Sequence, residues 1–93
     1  MVERVRYELH YYGRVQGVGF RYWAHTQAVK AHVTGWARNE YDGSVTVQVQ
    51  GREDQIELFM QGLANDNRFI RISRIEKIRI AYDPKETKFG VRY

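Results

Sequence analysis

A chain of 93 residues without cysteine holds one domain, taken as residues 1–93, around a modest core; this excludes a deep interdomain cleft, a disulfide framework, a thiol nucleophile and a cysteine metal site. The net charge is +4, with arginine supplying 11 of the 15 basic residues, a balance that suits small anions or nucleic acid. No apolar run approaches the ~20 residues of a membrane span, and residues 1–4 lack the basic-then-apolar pattern of a secretory leader, so a cytoplasmic protein is expected.

In residues 5–12, Val5, Tyr7, Leu9 and Tyr11 alternate with Arg6, Glu8, His10 and Tyr12, the period of a half-buried strand. Gly13-Arg14-Val15-Gln16-Gly17-Val18-Gly19-Phe20-Arg21 follows, with three glycines in seven residues. A helix is expected over 22–31, where Ala24, Ala28 and Ala31 share a stripe with Phe20 and the small side chains suit close approach to a sheet. His32 then stands where a glycine cap is usual, and histidine tolerates the left-handed conformation better than most residues.

The glycine stretch is therefore a turn from a strand into a helix start. The first turn of a helix leaves its N–H donors unpaired and carries the positive end of the dipole. Clustered amides of that kind bind anions, phosphate above all. Arg14 and Arg21 flank the turn, and a guanidinium grips phosphate through paired hydrogen bonds. The same corner also serves merely to redirect a chain. Its spacing, Gly-x-x-x-Gly-x-Gly, is neither the ATPase loop nor the dinucleotide fingerprint.

Residues 33–39 read as a second strand, 40–43 as a turn punctuated by Asp42-Gly43, and 44–50 as a third strand with Val45, Val47 and Val49 on one face. Gly51 breaks the pattern. A second helix is expected over 54–64, with Ile56, Phe59, Met60 and Leu63 on its apolar stripe, ending at 65–67. A fourth strand falls within 72–82. Ile75 is out of phase with Ile78 and Ile80, which points to a bulge or a late start. Arg68, Arg71, Arg74, Lys77 and Arg79 alternate with isoleucines there, as on an edge strand protected against pairing. After a turn at 83–85, a short fifth strand over 88–92 has Phe89 and Val91 inward. The order β-α-β-β-α-β predicts an α+β, ferredoxin-like sandwich: an antiparallel-rich sheet with both helices on one face.

Two segments together resemble a known family. Residues 13–21 look like the first signature of the acylphosphatases, and Gly35-Trp36-Ala37-Arg38-Asn39-Glu40-Tyr41-Asp42-Gly43-Ser44-Val45 looks like the second. Length and strand order also match, and the length is that of a free-standing enzyme rather than of the related domains in larger hydrogenase-maturation proteins. The resemblance implies hydrolysis of acyl phosphates to a carboxylate and inorganic phosphate. Arg21 would bind the phosphate with the loop Arg14, Val15, Gln16, Gly17, Val18, Gly19 and Phe20. Asn39 would position the attacking water. No metal or cofactor is implied, and the enzyme is expected to be monomeric.

The chemistry suits these residue types. The leaving carboxylate has a conjugate acid of pKa around 4 and departs without a strong general acid. Holding the phosphoryl group, stabilising its charge and placing water in line remain, and arginine, backbone N–H groups and an amide supply all three. Within the loop, Arg14 opens the turn and has no direct contact assigned. Asp42 and Gly43 read as turn residues, Trp36 as core or site wall. His10, His25 and His32 have no metal-ligand spacing. Ser44 and Ser73 lack a nucleophile elbow. The alternatives are a ferredoxin-like RNA-binding module and an anion binder without turnover. Gly17-Val18-Gly19-Phe20 resembles part of an RNA-recognition motif, and Tyr7, Tyr11 and Tyr12 are aromatics on the first strand, but that motif belongs on a strand rather than before a helix. Nucleic acid is therefore not the expected partner.

Overall fold

The computed structural model describes residues 2–65 and 67–93. Its elements are β1 (Arg4–Arg14), α1 (Phe20–Ala31), β2 (Thr34–Asn39), β3 (Val45–Arg52), α2 (Glu53–Ala64), β4 (Arg71–Ile80) and β5 (Phe89–Arg92). The sheet order is β4-β1-β3-β2-β5, antiparallel throughout except for the parallel pair of β2 and β5.

Leu9 and Tyr11 of β1, Val45, Val47 and Val49 of β3, and Ala37 of β2 are fully buried in one cluster with Phe20, Ala24 and Ala28 of α1 and Ile56, Phe59 and Leu63 of α2. Burying one large apolar side chain is worth roughly 1.5–3 kcal/mol, against about 0–1 kcal/mol for an exposed ion pair. The apolar half of the β1 alternation therefore decides which face meets the helices. The two helices approach closely at Gly62, where a Cβ would lie 2.1 Å from the Gln27 Oε1.

Helix ends follow local rules in part. His32 closes α1 with φ 59°, and the Val33 N–H donates to the Ala28 carbonyl at 3.0 Å. At the start of α2 the Arg52 N–H donates to Gln55 Oε1 at 2.9 Å, and Glu53 and Asp54 face the positive dipole end. Of the end expected at 65–67, Asp66 lies outside the described residues.

Most boundaries fall within one residue of the sequence reading, and the larger or more informative departures have local causes. β1 continues through Gly13 and Arg14, because Gly13 (φ 126°) fits against β4 where a Cβ would sit 2.1 Å from the Arg71 carbonyl oxygen. α1 starts at Phe20, two residues early, on a left-handed Gly19. Gly51 stays inside β3, paired with Val5. β4 begins at Arg71, one residue before the expected range, and it does carry a bulge: its register against β1 slips between Tyr12 and Gly13, leaving Ser73 as the extra residue.

The other sheet face carries Arg6, Glu8 and His10 beside Gln50, Gln48 and Thr46. It is not simply solvated. The connection from β4 to β5 crosses beneath it, and Arg6 is only 4% exposed there. Arg6 donates to Glu86 at 3.0 and 3.1 Å, to Gln50 Oε1 at 2.7 Å and to Gln48 Oε1 at 2.9 Å. Gln50 in turn donates to the Asp83 carbonyl at 2.8 Å.

Candidate active site

Val15 and Phe20 anchor the glycine loop from below. Val15 is 1% exposed, and the Phe20 ring lies 5.1 Å from that of Tyr11. Between these anchors the chain needs two sharp bends, taken at Gly17 (φ 73°) and Gly19 (φ 78°). The first closure of α1 is the Trp23 N–H to the Gly19 carbonyl at 2.9 Å. Among the described residues, no backbone carbonyl takes the amides of residues 16–22. They form a cluster of donors at a helix N-terminus.

A cleft of about 150 Å³ lies against this loop, lined by Val15, Gly17, Gly19, Phe20, Arg21, Tyr22 and Asn39. Arg21 reaches it from the first turn of α1. Asn39 reaches it as the last residue of β2, in register with Val45 at the start of β3. Two side chains 18 positions apart thus share one concavity with the loop amides. Arg21 Nη1 donates to the Arg92 carbonyl at 2.7 Å, and its guanidinium lies 4.6 Å from the Tyr93 ring centre. The parallel pairing of β5 with β2 brings Arg92 there.

The rest of the expected set is distributed differently. Arg14 pairs with Arg71 at the end of β1 and does not line the cleft. Val18 packs against the core. Gln16 Nε2 donates to the Glu40 carbonyl at 2.7 Å and the Ser44 carbonyl at 2.8 Å, tying the loop to the β2–β3 turn. In that turn, Asp42 Oδ1 accepts from the Ser44 hydroxyl at 2.5 Å and the Ser44 N–H at 2.9 Å. These bonds, the hydroxyl's first, hold the Asp42 carboxyl below its ordinary range.

Tyr22 is the lining residue that sequence reading passed over; its only signal is its place next to Arg21 on the first helical turn. Its hydroxyl lies 2.6 Å from that of Tyr93. Trp36 is buried, but on the face away from the helices, with Arg92 and Arg38 at 4.4 and 5.1 Å from its ring. It borders a larger, shallower cleft of about 380 Å³ with Lys85, Glu86 and Lys88. That cleft contains neither the glycine loop nor Asn39. Tyr7 and Tyr11 face the helices, which removes them from any base-stacking platform. His10 meets Glu8 at 2.8 Å, His25 stands edge-on to Phe89, and no three His, Asp or Glu side chains converge among the described residues.

A model of the acylphosphatase family matches residues 7–91. The acylphosphatase of Geobacillus thermodenitrificans is 38% identical over 81 residues, covering 87% of this chain and 86% of that protein. That of Clostridium beijerinckii is 37% identical over 89 residues, covering 96% and 99%. The crystal structure of acylphosphatase from Bacillus subtilis superimposes with a TM-score of 0.88 at 30% identity, covering 96% of this chain and 99% of that one.

Proposed function

The chain belongs to the acylphosphatase family, and we propose that Arg21 and the backbone amides of the glycine loop after Arg14 hold the phosphoryl group of its substrate while Asn39 positions the attacking water. The activity itself is hydrolysis of an acyl phosphate to a carboxylate and inorganic phosphate. In this reading the water oxygen bonds to phosphorus as the bond from phosphorus to the acyl oxygen breaks. The bonding pair leaves on the carboxylate. The proton of the water passes to a phosphate oxygen, because an Asn amide orients water through its carbonyl and NH₂ but is no base.

The observation that carries the reading is the shared cleft: Arg21, Asn39 and the loop glycines line one concavity. Loop amides and guanidinium are preorganised donors for the charge on the phosphoryl oxygens. One Arg21 donor goes to the Arg92 carbonyl, which orients the fork and leaves four of its roughly five N–H groups for an anion. A carboxylate leaving group makes metal assistance dispensable, and the same reading takes the enzyme as a cytoplasmic monomer. No helix of the described residues is long and apolar enough to cross a membrane.

The test is phosphate release from acetyl phosphate, with and without chelator, together with inhibition by inorganic phosphate. Turnover is expected to survive chelation, and phosphate to compete with substrate. Asn39→Ala is expected to lower kcat by about a hundredfold, since misplacing a reactant by an ångström costs on that order, and to change phosphate inhibition only a few-fold. A folded Asn39→Ala enzyme with wild-type kcat but weakened phosphate binding would make Asn39 a binding residue instead.

A further inference from the structure

Gln16 belongs to the glycine loop, yet its side chain is absent from the cleft lining. Its Nε2 instead donates to two carbonyls, Glu40 at 2.7 Å and Ser44 at 2.8 Å. Those residues bracket the turn that follows Asn39, and Asn39 itself pairs with Val45 where β3 begins. One primary amide, with both N–H groups engaged, thus joins the loop that offers amides to the strand end that carries Asn39.

Neither side of this junction needs Gln16 to form. The Glu40 carbonyl also accepts the Gly43 N–H at 3.2 Å, and the Ser44 carbonyl also accepts the Glu40 N–H at 2.8 Å, so the turn closes by itself. The loop is held independently by buried Val15 and Phe20. What Gln16 adds is the placement of one relative to the other. In-line attack is sensitive to that quantity, because the phosphoryl group sits on the loop and the water on the strand end.

We propose that Gln16 is a positioning residue for the hydrolysis, setting the distance between the phosphate-holding loop and Asn39. The proposal rests on the reading of Asn39 as the residue that orients water. It assigns Gln16 a role in kcat and not in phosphate affinity, although Gln16 lies within the phosphate-binding loop.

The experiment is a double-mutant cycle of Gln16→Met and Asn39→Ala, with steady-state kinetics on acetyl phosphate, phosphate inhibition constants and circular dichroism on all four proteins. Gln16→Met is expected to lower kcat about tenfold, a fraction of the hundredfold that an ångström of misplacement costs. Phosphate inhibition should stay within about threefold, and in the Asn39→Ala background the same change should cost no further kcat. Gln16→Asn, which keeps the amide but shortens its reach, should fall between; it carries the cycle if the methionine variant does not fold. An unchanged kcat, a loss that falls on phosphate inhibition, or a loss that multiplies in full with Asn39→Ala overturns the proposal alone. Wild-type kcat in Asn39→Ala overturns the water-positioning reading and the proposal with it.

Discussion

Arg21 carries its charge on a guanidinium that the backbone has already oriented, with Nη1 on the Arg92 carbonyl and its plane near Tyr93. A lysine at this position keeps the charge but loses the planar fork that grips two phosphate oxygens. Arg21→Lys is therefore expected to lower kcat/KM by about a hundredfold or more, roughly the loss of one strong transition-state donor. Near-normal rates would show that guanidinium geometry is irrelevant here. Glu8 shows a second residue-scale effect, on stability. It accepts from the Gln48 amide and the His10 ring, both at 2.8 Å, which hold its carboxyl below the ordinary 4.5. A lowered folded value means that the contribution is present above pH 4.5 and is lost as pH falls through the folded value. Glu8→Gln should therefore flatten the acid limb of stability against pH below about pH 5, read by urea unfolding at a series of pH values. An unaltered acid limb would place the acid sensitivity elsewhere.

At the scale of elements, β1 ends against β4 through Gly13, and a Cβ there would meet the Arg71 carbonyl oxygen at 2.1 Å and the Ser73 nitrogen at 2.8 Å. Backbone cannot yield as a side chain does, so Gly13→Ala is expected to destabilise by about 1–3 kcal/mol, measured by urea unfolding; a neutral result would mean that the bulge at Ser73 absorbs the methyl. Gly13 also shows why some boundaries were illegible. Read locally, a glycine before Arg14 starts a turn; only the neighbouring strand reveals that it continues one. Gly51 misleads in the same way inside β3. Phe20 and Arg21 became helical because a left-handed Gly19 starts α1, and no Ser, Thr, Asp or Asn announces that cap. By contrast, the alternation of β1, the Asp42-Gly43 turn and the stripe of α2 were plain, because each rests on near neighbours. Of the candidate site, the glycine loop, Arg21 and Asn39 were legible as motifs. Gln16 reaching Glu40 and Ser44, and Arg21 reaching Arg92, were not, because each spans more than 20 positions.

Across the whole molecule, the chain after β4 passes beneath the sheet and buries Arg6 against Glu86, Gln48 and Gln50. Simple alternation marks Arg6 as solvent-facing; the segment that covers it lies some 80 positions away. Removing one charge of a buried pair leaves the other uncompensated, a loss of about 3–5 kcal/mol, and the remaining Gln acceptors put Glu86→Gln near the low end of that range. Equilibrium unfolding measures it, and a change under about 1 kcal/mol would mean that water already reaches the pair. From there the chain enters β5, four residues at the sheet edge, paired only with β2. Short edge strands open more often than the body of a fold. Opening of β5 would withdraw the Arg92 carbonyl from Arg21 and lift the buried Phe89 ring from Phe59 of α2 and His25 of α1. Under the proposed role of Arg21, activity is therefore expected to fall on warming ahead of the global transition: kcat/KM should decline at temperatures where circular dichroism still reports the folded signal, and coincident losses would show that β5 opens only when the whole fold does.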